Sequence, residues 1–175
     1  MPDNVRDTFD QLDRYIAADL NVLLKSKNGG PNYAAALLIA IACEALSRML
    51  DKSSDFYLTE ILAKHGLRRE LAEDVANAMR NGIAHAYDTR YIQAGSLRIE
   101  LIISWSAMQH LSVRNDLPGL VLNVHTMATD LSELFDKLRQ TLPPGGALPK
   151  KWTAESITGV DGRHIPIWRE WLSRG

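Results

Sequence analysis

The segment RNGIAH, residues 80–85, brings an arginine, an asparagine and a histidine together within six positions. Imidazole titrates near neutral pH and can donate or accept a proton, whereas the guanidinium group stays charged and binds phosphate through two parallel hydrogen bonds. The amide of Asn81 lies one helical turn before His85, where it could hold the imidazole ring or bond a phosphate oxygen. Arg80, Asn81 and His85 are therefore the candidate chemical residues.

The helix that carries them is predicted over residues 67–88, because apolar side chains recur on one face. These residues are Leu71, Val75, Ala78, Met79, Gly82 and Ala86. At about 100° per residue, Arg80 points away from this face, and Asn81 and His85 lie at its edge. Arg80 and His85 on one unbroken helix are about 140° apart, too far round to hold one small group. Either the helix breaks at Gly82, or the row of Arg80 meets a second copy across a two-fold axis.

Three helices are predicted before the helix over residues 67–88. Apolar residues stepping by three or four from Val5 indicate a helix over residues 3–26. Residues 33–51 are apolar around most of the helix circumference, which predicts the central helix, and its interior charges are Glu44 and Arg48. A short third helix is expected to begin at Ser53 or Ser54 and to end at Gly66.

Glu44 has two candidate roles on this central helix. It could support Arg80 or His85 from inside the bundle, or it could pair with Arg48, which lies one turn further along the same helix. Both roles are consistent with the sequence, and Glu44 is a candidate supporting residue of the site.

The periodicity changes after residue 90. Residues 97–105 and 119–125 are rich in β-branched side chains and predict two or three strands of a small antiparallel sheet. A further helix is predicted over 126–142. The fold class is thus mainly α, an antiparallel four-helix core followed by a small β element and one more helix, together spanning residues 1–142.

Residues 143–175 are predicted to be a separate extension. Two prolines and two glycines at its start cannot continue a helix. Trp152, Trp168 and Trp171 give it too much aromatic surface for a free linker. We expect this segment to pack on the body or on a partner chain, with a hairpin signal at Asp161.

Composition excludes several classes of protein. A net charge of −1 argues against a general polyanion binder. The longest apolar run, residues 34–43, is about half of a bilayer span, so no membrane association is expected. Cys43 is the single cysteine, and no secretory signal begins the sequence, which favours a cytoplasmic protein. No nucleotide-binding or metal-ligand motif occurs, so we expect no cofactor and no metal.

One further cluster of charge is the segment AKHGLRREL. Its residues Lys64, His65, Arg68 and Arg69 form a basic patch that could guide RNA or could simply be a solvated turn.

The arrangement at residues 80–85 resembles the HEPN superfamily. These small helical domains carry an arginine, a polar residue that is often Asn, His or Asp, and a histidine four to six positions beyond the arginine. Arg80, Asn81 and His85 match this signature, with four residues between arginine and histidine. Several members have Gly and Tyr after the histidine, where this chain has Ala86 and Tyr87. The resemblance covers roughly residues 1–90 and implies a HEPN-like four-helix core.

The resemblance also implies a function. Active HEPN proteins are dimeric, metal-independent endoribonucleases that activate the ribose 2′-hydroxyl against the adjacent phosphate, often in toxin and phage-defence systems. Arg80, Asn81 and His85 would then be catalytic, with Tyr87 stacking on a base and Arg90 binding the backbone. The partners implied are single-stranded RNA, a second copy of the chain and an antitoxin or other protein.

Two other interpretations fit the same residues. The chain could be a catalytically inactive helical module that binds RNA or a protein through the same dimer surface. Alternatively, the motif only ends the helix: Arg80 is solvated, Asn81 and Gly82 are terminating residues, and His85 is favoured by the negative helix end.

Overall fold

The computed structural model describes residues 4–26, 32–86, 91–105, 109–114 and 119–149, together with position 166. Within these ranges the chain is mainly helical with a small sheet. The helices are α1 (Val5–Lys25), α2 (Asn32–Met49), α3 (Phe56–Ala63), α4 (Arg69–Ala86) and α5 (Val124–Thr141). The strands are β1 (Tyr91–Ala94), β2 (Leu97–Ser104), β3 (Val113–Arg114) and β4 (Gly119–Asn123).

Helix α1 begins where a side chain caps it. The Asn4 carboxamide oxygen accepts a hydrogen bond from the Asp7 backbone N–H at 2.8 Å, which satisfies one of the free amides of the first turn. Its buried face contains Val5, Phe9, Ile16 and Leu20. The predicted helix over residues 3–26 is confirmed, because the apolar period that indicated it is the period of the buried face.

Helix α2 lies at the centre of the bundle and packs against each of the other four helices. By length and mean hydropathy, 1.2, it could also span a membrane, but half of it is buried among the other elements. Ile39 and Leu46 are completely buried there. A core helix of this kind meets the same length and hydropathy criteria, because it is apolar on most of its circumference.

Helix α5 shares the hydrophobic core of the first four helices. It packs against α1, α2 and α3, and the Phe135 ring lies 5.2 Å from the ring of Phe9, tilted by 55°. The bundle therefore has five helices in the described part of the chain. The four strands lie between α4 and α5 in the sequence. Helix α5 nevertheless belongs to the helical core.

The start of α3 differs from the prediction. The residue that precedes the helix is Asp55, its side chain makes no capping hydrogen bond, and neither Ser53 nor Ser54 is the cap. Instead, the Ser53 carbonyl accepts the Phe56 N–H at 3.0 Å in a backbone turn. The expected stop at Gly66 is consistent with its φ of +87°, a conformation that glycine adopts without a Cβ penalty.

The sheet is mixed, so the predicted antiparallel pairing of the two main strands is wrong. β2 and β4 pair in parallel, with Leu101 opposite Leu120 and Ile103 opposite Leu122. The two outer strands were not individually predicted. β1 pairs antiparallel with β2, and β3 pairs antiparallel with β4, which gives the strand order β1-β2-β4-β3. The nearly continuous burial of β4 is the pattern of a strand covered on both faces, as parallel strands usually are.

The predicted second strand also ends two residues too late. Asn123 ends β4 and caps α5, because its carboxamide oxygen accepts from the backbone N–H groups of His125 and Thr126 at 3.0 and 3.2 Å. Val124 and His125 are therefore helical.

The first residues after α5 turn back onto the body. The Val5 N–H donates to the Gly146 carbonyl at 2.8 Å, and Leu148 packs against the core. Residues 143–149 thus lie beside the beginning of α1. The predicted boundary after residue 142 stays a prediction, and the predicted hairpin at Asp161 and the three late tryptophans lie outside the described residues.

Candidate functional site

The helix that carries the motif does not break at glycine. The backbone of α4 is helical from Arg69 through Gly82 to Ala86. Arg80 and His85 therefore diverge by about 140° around one axis. The predicted break at Gly82 is therefore wrong, and the alternative arrangement, a meeting of two chains, stays a prediction.

The buried face of α4 is rotated from the predicted one. Leu71 is 42% exposed, whereas Ala72 and Ala76 are completely buried beside Val75 and Met79. The shift arises because α4 packs against α2 and α3 at once and against β1 on its other flank. As a result Arg80 is half-buried and Asn81 is exposed, the reverse of the expected order.

The guanidinium group of Arg80 is held by the turn that precedes α3. Its Nη1 donates a hydrogen bond to the hydroxyl oxygen of Ser54. Among the residues that the structure describes, Arg80 forms no ion pair with a carboxylate. The described partner of this charge is therefore a neutral hydroxyl group.

Asn81 lies on an open surface. Its Nδ2 donates to the Oδ1 of Asn77, one turn earlier, at 2.6 Å. Both amides line a cavity of about 430 Å³ between α4 and β1, together with Asp74 and Tyr91. The Asp74 carboxylate makes this cavity unsuited to a phosphate, so a phosphate is better placed on the flank of Arg80 than in the cavity.

Glu44 pairs with Arg48. Its Oε1 lies 2.6 Å from the Arg48 guanidinium, one helical turn away on α2. Among the described contacts Glu44 does not touch Arg80, and support of His85 by Glu44 stays a prediction, because the His85 side chain lies outside the description. The short i, i+4 geometry favours the local partner over one on another helix.

Three of the predicted site residues are described only in part or not at all. His85 has a helical backbone, and its side chain lies outside the description, as do Tyr87 and Arg90 entirely. The expected contact between Asn81 and His85 therefore stays a prediction.

Three of the four residues in the basic patch near residue 65, namely Lys64, His65 and Arg69, lie close to acidic side chains. Lys64 Nζ lies 2.5 Å from a carboxylate oxygen of both Asp130 and Glu133. Arg69 lies 2.6 Å from Glu60. These ion pairs tie α3 and the start of α4 to their neighbours, which favours the structural interpretation of the patch over an RNA path.

The sequence analysis does not predict two partners of the site residues, Ser54 and Asn77. Ser54 is 26 positions from Arg80, and no periodicity connects a turn residue with a distant helix. Asn77 lies one helical turn before Asn81, and this spacing of four residues could have predicted the contact between the two amides.

A half-buried imidazole, that of His110, contacts the end of β4. His110 Nδ1 accepts the backbone N–H of Asn123 at 3.0 Å, so the neutral ring carries its proton on Nε2. Its ring lies 4.9 Å from that of His65, edge to face, and His65 Nε2 is 2.5 Å from buried Asp130. Burial, with the nearby His65, lowers the pKa of His110 to about 4, although Asp130 acts in the opposite direction.

This shift predicts a loss of stability in acid. The folded pKa of His110 lies below its unfolded value of 6.5, so its contribution is complete above pH 6.5 and is lost as the pH falls toward 4. The loss is at most about 3 kcal/mol, reduced by solvent screening. Urea unfolding between pH 7 and 4 measures it.

The control for this loss is the substitution His110→Gln, whose amide oxygen can still accept the Asn123 N–H. The pH dependence of its unfolding free energy should be weaker than that of the wild type, whereas His125→Gln, at an exposed position on α5, should keep the wild-type slope. An unchanged slope in His110→Gln would show that other groups cause the acid sensitivity.

Comparison of the chain with protein-family models, curated protein sequences and solved structures finds no match. Among the described residues, no group of three or more His, Cys, Asp or Glu side chains is placed to hold a metal ion.

Proposed function

We propose that the protein is a metal-independent endoribonuclease of the HEPN type that acts on single-stranded RNA as a homodimer. The observation that carries the proposal is the position of Arg80, Asn81 and His85 on the last two turns of an unbroken helix. The proposal also accounts for an oriented arginine whose partner, Ser54, is uncharged. Its biological setting would be that of a toxin or a phage-defence effector, with an antitoxin as a further partner.

The site is composite. One chain alone cannot direct Arg80 and His85 at the same phosphate, because the two side chains leave α4 about 140° apart. If α4 of two chains meets across a two-fold axis, Arg80 of one subunit faces His85 of the partner subunit. Each dimer then has two equivalent sites, related by the axis.

In each site the proposed reaction is an internal displacement at phosphorus. The ribose 2′-hydroxyl loses its proton to solvent, the 2′-oxygen bonds to phosphorus, and the bond from phosphorus to the 5′-oxygen breaks. His85 of the partner subunit donates a proton to that leaving oxygen, and Arg80 stabilises the charge on the phosphoryl oxygens. The products are a 2′,3′-cyclic phosphate and a 5′-hydroxyl.

The end of α4 sets the electrostatic requirements. The negative end of the helix macrodipole favours the protonated imidazole of His85, which suits a general acid. The same end repels phosphate. The guanidinium of Arg80 offsets that repulsion, and its hydrogen bond to Ser54 orients it toward the turn before α3.

The direct test uses mixed single-stranded RNA in the presence of a metal chelator. We expect cleavage to persist, with 2′,3′-cyclic phosphate ends on the upstream fragments. His125→Ala, which removes an exposed histidine far along the chain from the motif, should cleave as the wild type does. Absence of cleavage under all conditions would leave the inactive helical module, binding RNA or a protein through α4, as the function to pursue.

A further inference from the structure

An apolar groove runs between α4 and the sheet. It encloses about 340 Å³, within the range of pockets that bind small apolar groups. Its walls are almost entirely aliphatic. They consist of Leu67, Leu71 and Val75 from the helical side and Ile92, Leu97, Ile99, Val113 and Leu120 from the strands. Asp74 is the single charged residue in this lining, and it also lines the cavity beside Asn81.

The side chains on the rim of this groove are exposed to a degree that is unusual for their size. Leu71 is 42% exposed, Leu97 50% and Val113 69%. They come from three different elements and surround one concavity, so they form a contiguous apolar surface. Apolar surfaces of this kind on soluble domains usually mark a site of contact.

We propose that this groove is the docking site of the chain's own C-terminal segment, residues 150–175. That segment contains Trp152, Trp168 and Trp171, and it has five basic and three acidic residues. The proposal does not depend on the ribonuclease function.

The chemistry of the groove matches tryptophan. An indole has a large apolar body and one N–H donor, and it is stable in an apolar site that offers one acceptor. The groove offers aliphatic walls and the Asp74 carboxylate at its edge. The basic excess of the segment complements Asp74 and the exposed carboxylate of Glu70, one turn earlier on α4.

The segment is long enough to reach the groove. Residues 143–149 lie beside the start of α1, at the end of α5 that is remote from the sheet. Helix α5 has 18 residues, which corresponds to about 27 Å. The 26 residues after Pro149 can span roughly 80 Å when extended, so the distance along α5 leaves ample slack.

A second apolar groove, between α1 and α2, fits the segment less well. It is lined by Val22, Leu23, Leu37, Leu38 and Ile41 together with Asp19. It lies between two helices and has no wall from the sheet, so it would enclose an indole on fewer sides. Its exposed residues provide matched controls.

The proposal is tested by cross-linking within the full-length chain. Leu97→Cys combined with Ser173→Cys places one thiol on the groove rim and one beside Trp171, and a short bismaleimide joins thiols that lie close together. Val22→Cys combined with Ser173→Cys is the control, since Val22 is 71% exposed on the other groove. Cys43 does not compete, because it is completely buried and burial raises the pKa of its thiol.

At low protein concentration we expect the Leu97 pair to form a link within one chain in several-fold higher yield than the Val22 pair. Adding Leu71→Asp should abolish that link, and adding Ile41→Asp on the other groove should not. Equal yields for the two pairs, links formed only between chains, or a link that resists Leu71→Asp would each overturn the proposal. Circular dichroism of every variant confirms that the helices remain folded.

Discussion

His85→Ala is expected to lower the rate of RNA cleavage by roughly 100- to 10,000-fold, the usual contribution of a positioned general acid. The loss should appear in kcat, because the imidazole acts on the leaving oxygen and contributes little to holding the RNA. Single-turnover cleavage of a labelled RNA in chelator measures it.

The control for this variant is His125→Ala. His125 is exposed on α5 and its ring contacts Trp105 edge to face at 4.6 Å, so the substitution removes an imidazole without touching α4. Both variants should retain the melting temperature of the wild type within a few degrees. Unchanged cleavage by His85→Ala would remove the general-acid role, and equal losses in both variants would indicate a contaminating nuclease or a general defect.

Arg80→Ala is expected to lower cleavage by about 100- to 1,000-fold, the cost of removing one charge-stabilising group from a transition state. Arg80→Lys should recover only part of this, because an ammonium group keeps the charge and loses the planar fork that binds two phosphoryl oxygens. The measurement is kcat and KM for the same RNA, compared with Arg68→Ala, which removes an exposed arginine just before α4.

Ser54→Ala distinguishes a catalytic role of Arg80 from a structural role in holding α4 to the turn before α3. It removes the described partner of Arg80 and leaves the guanidinium in place. We expect a loss much smaller than that of Arg80→Ala, because Ser54 is a positioning residue. If the two variants lost activity and stability to the same extent, Arg80 would act only by tying α4 to the turn before α3.

The helices could be predicted from the sequence because their signal is local. The apolar period of α1 and the small, apolar residues of α2 each specify which face is buried, and the structure places their ends within two residues of the predicted ones. The interval after α4 is different. Two β-rich segments indicate strands, but their direction depends on how the chain connects them, and the parallel pairing of β2 with β4 has no local signature beyond the continuous burial of β4.

The candidate site could be predicted in its residue types and not in its contacts. The angle of about 140° between positions 80 and 85 follows from helix geometry, because the backbone of α4 is unbroken between them. The partner of Arg80 does not follow in this way, because Ser54 reaches it from a turn whose position depends on the packing of α3. The exposure of Asn81 depends similarly on the rotation of α4, which packing against α2, α3 and β1 determines.

The central claim is that Arg80 of one subunit and His85 of the partner subunit form one site, and subunit complementation tests it most directly. We expect Arg80→Ala chains and His85→Ala chains each to be nearly inactive alone. When equal amounts are mixed and allowed to exchange, half of the dimers are mixed and each has one intact site, so activity should rise to about a quarter of the wild-type value. A mixture as inactive as either variant alone, with exchange verified by mass, would contradict the composite site.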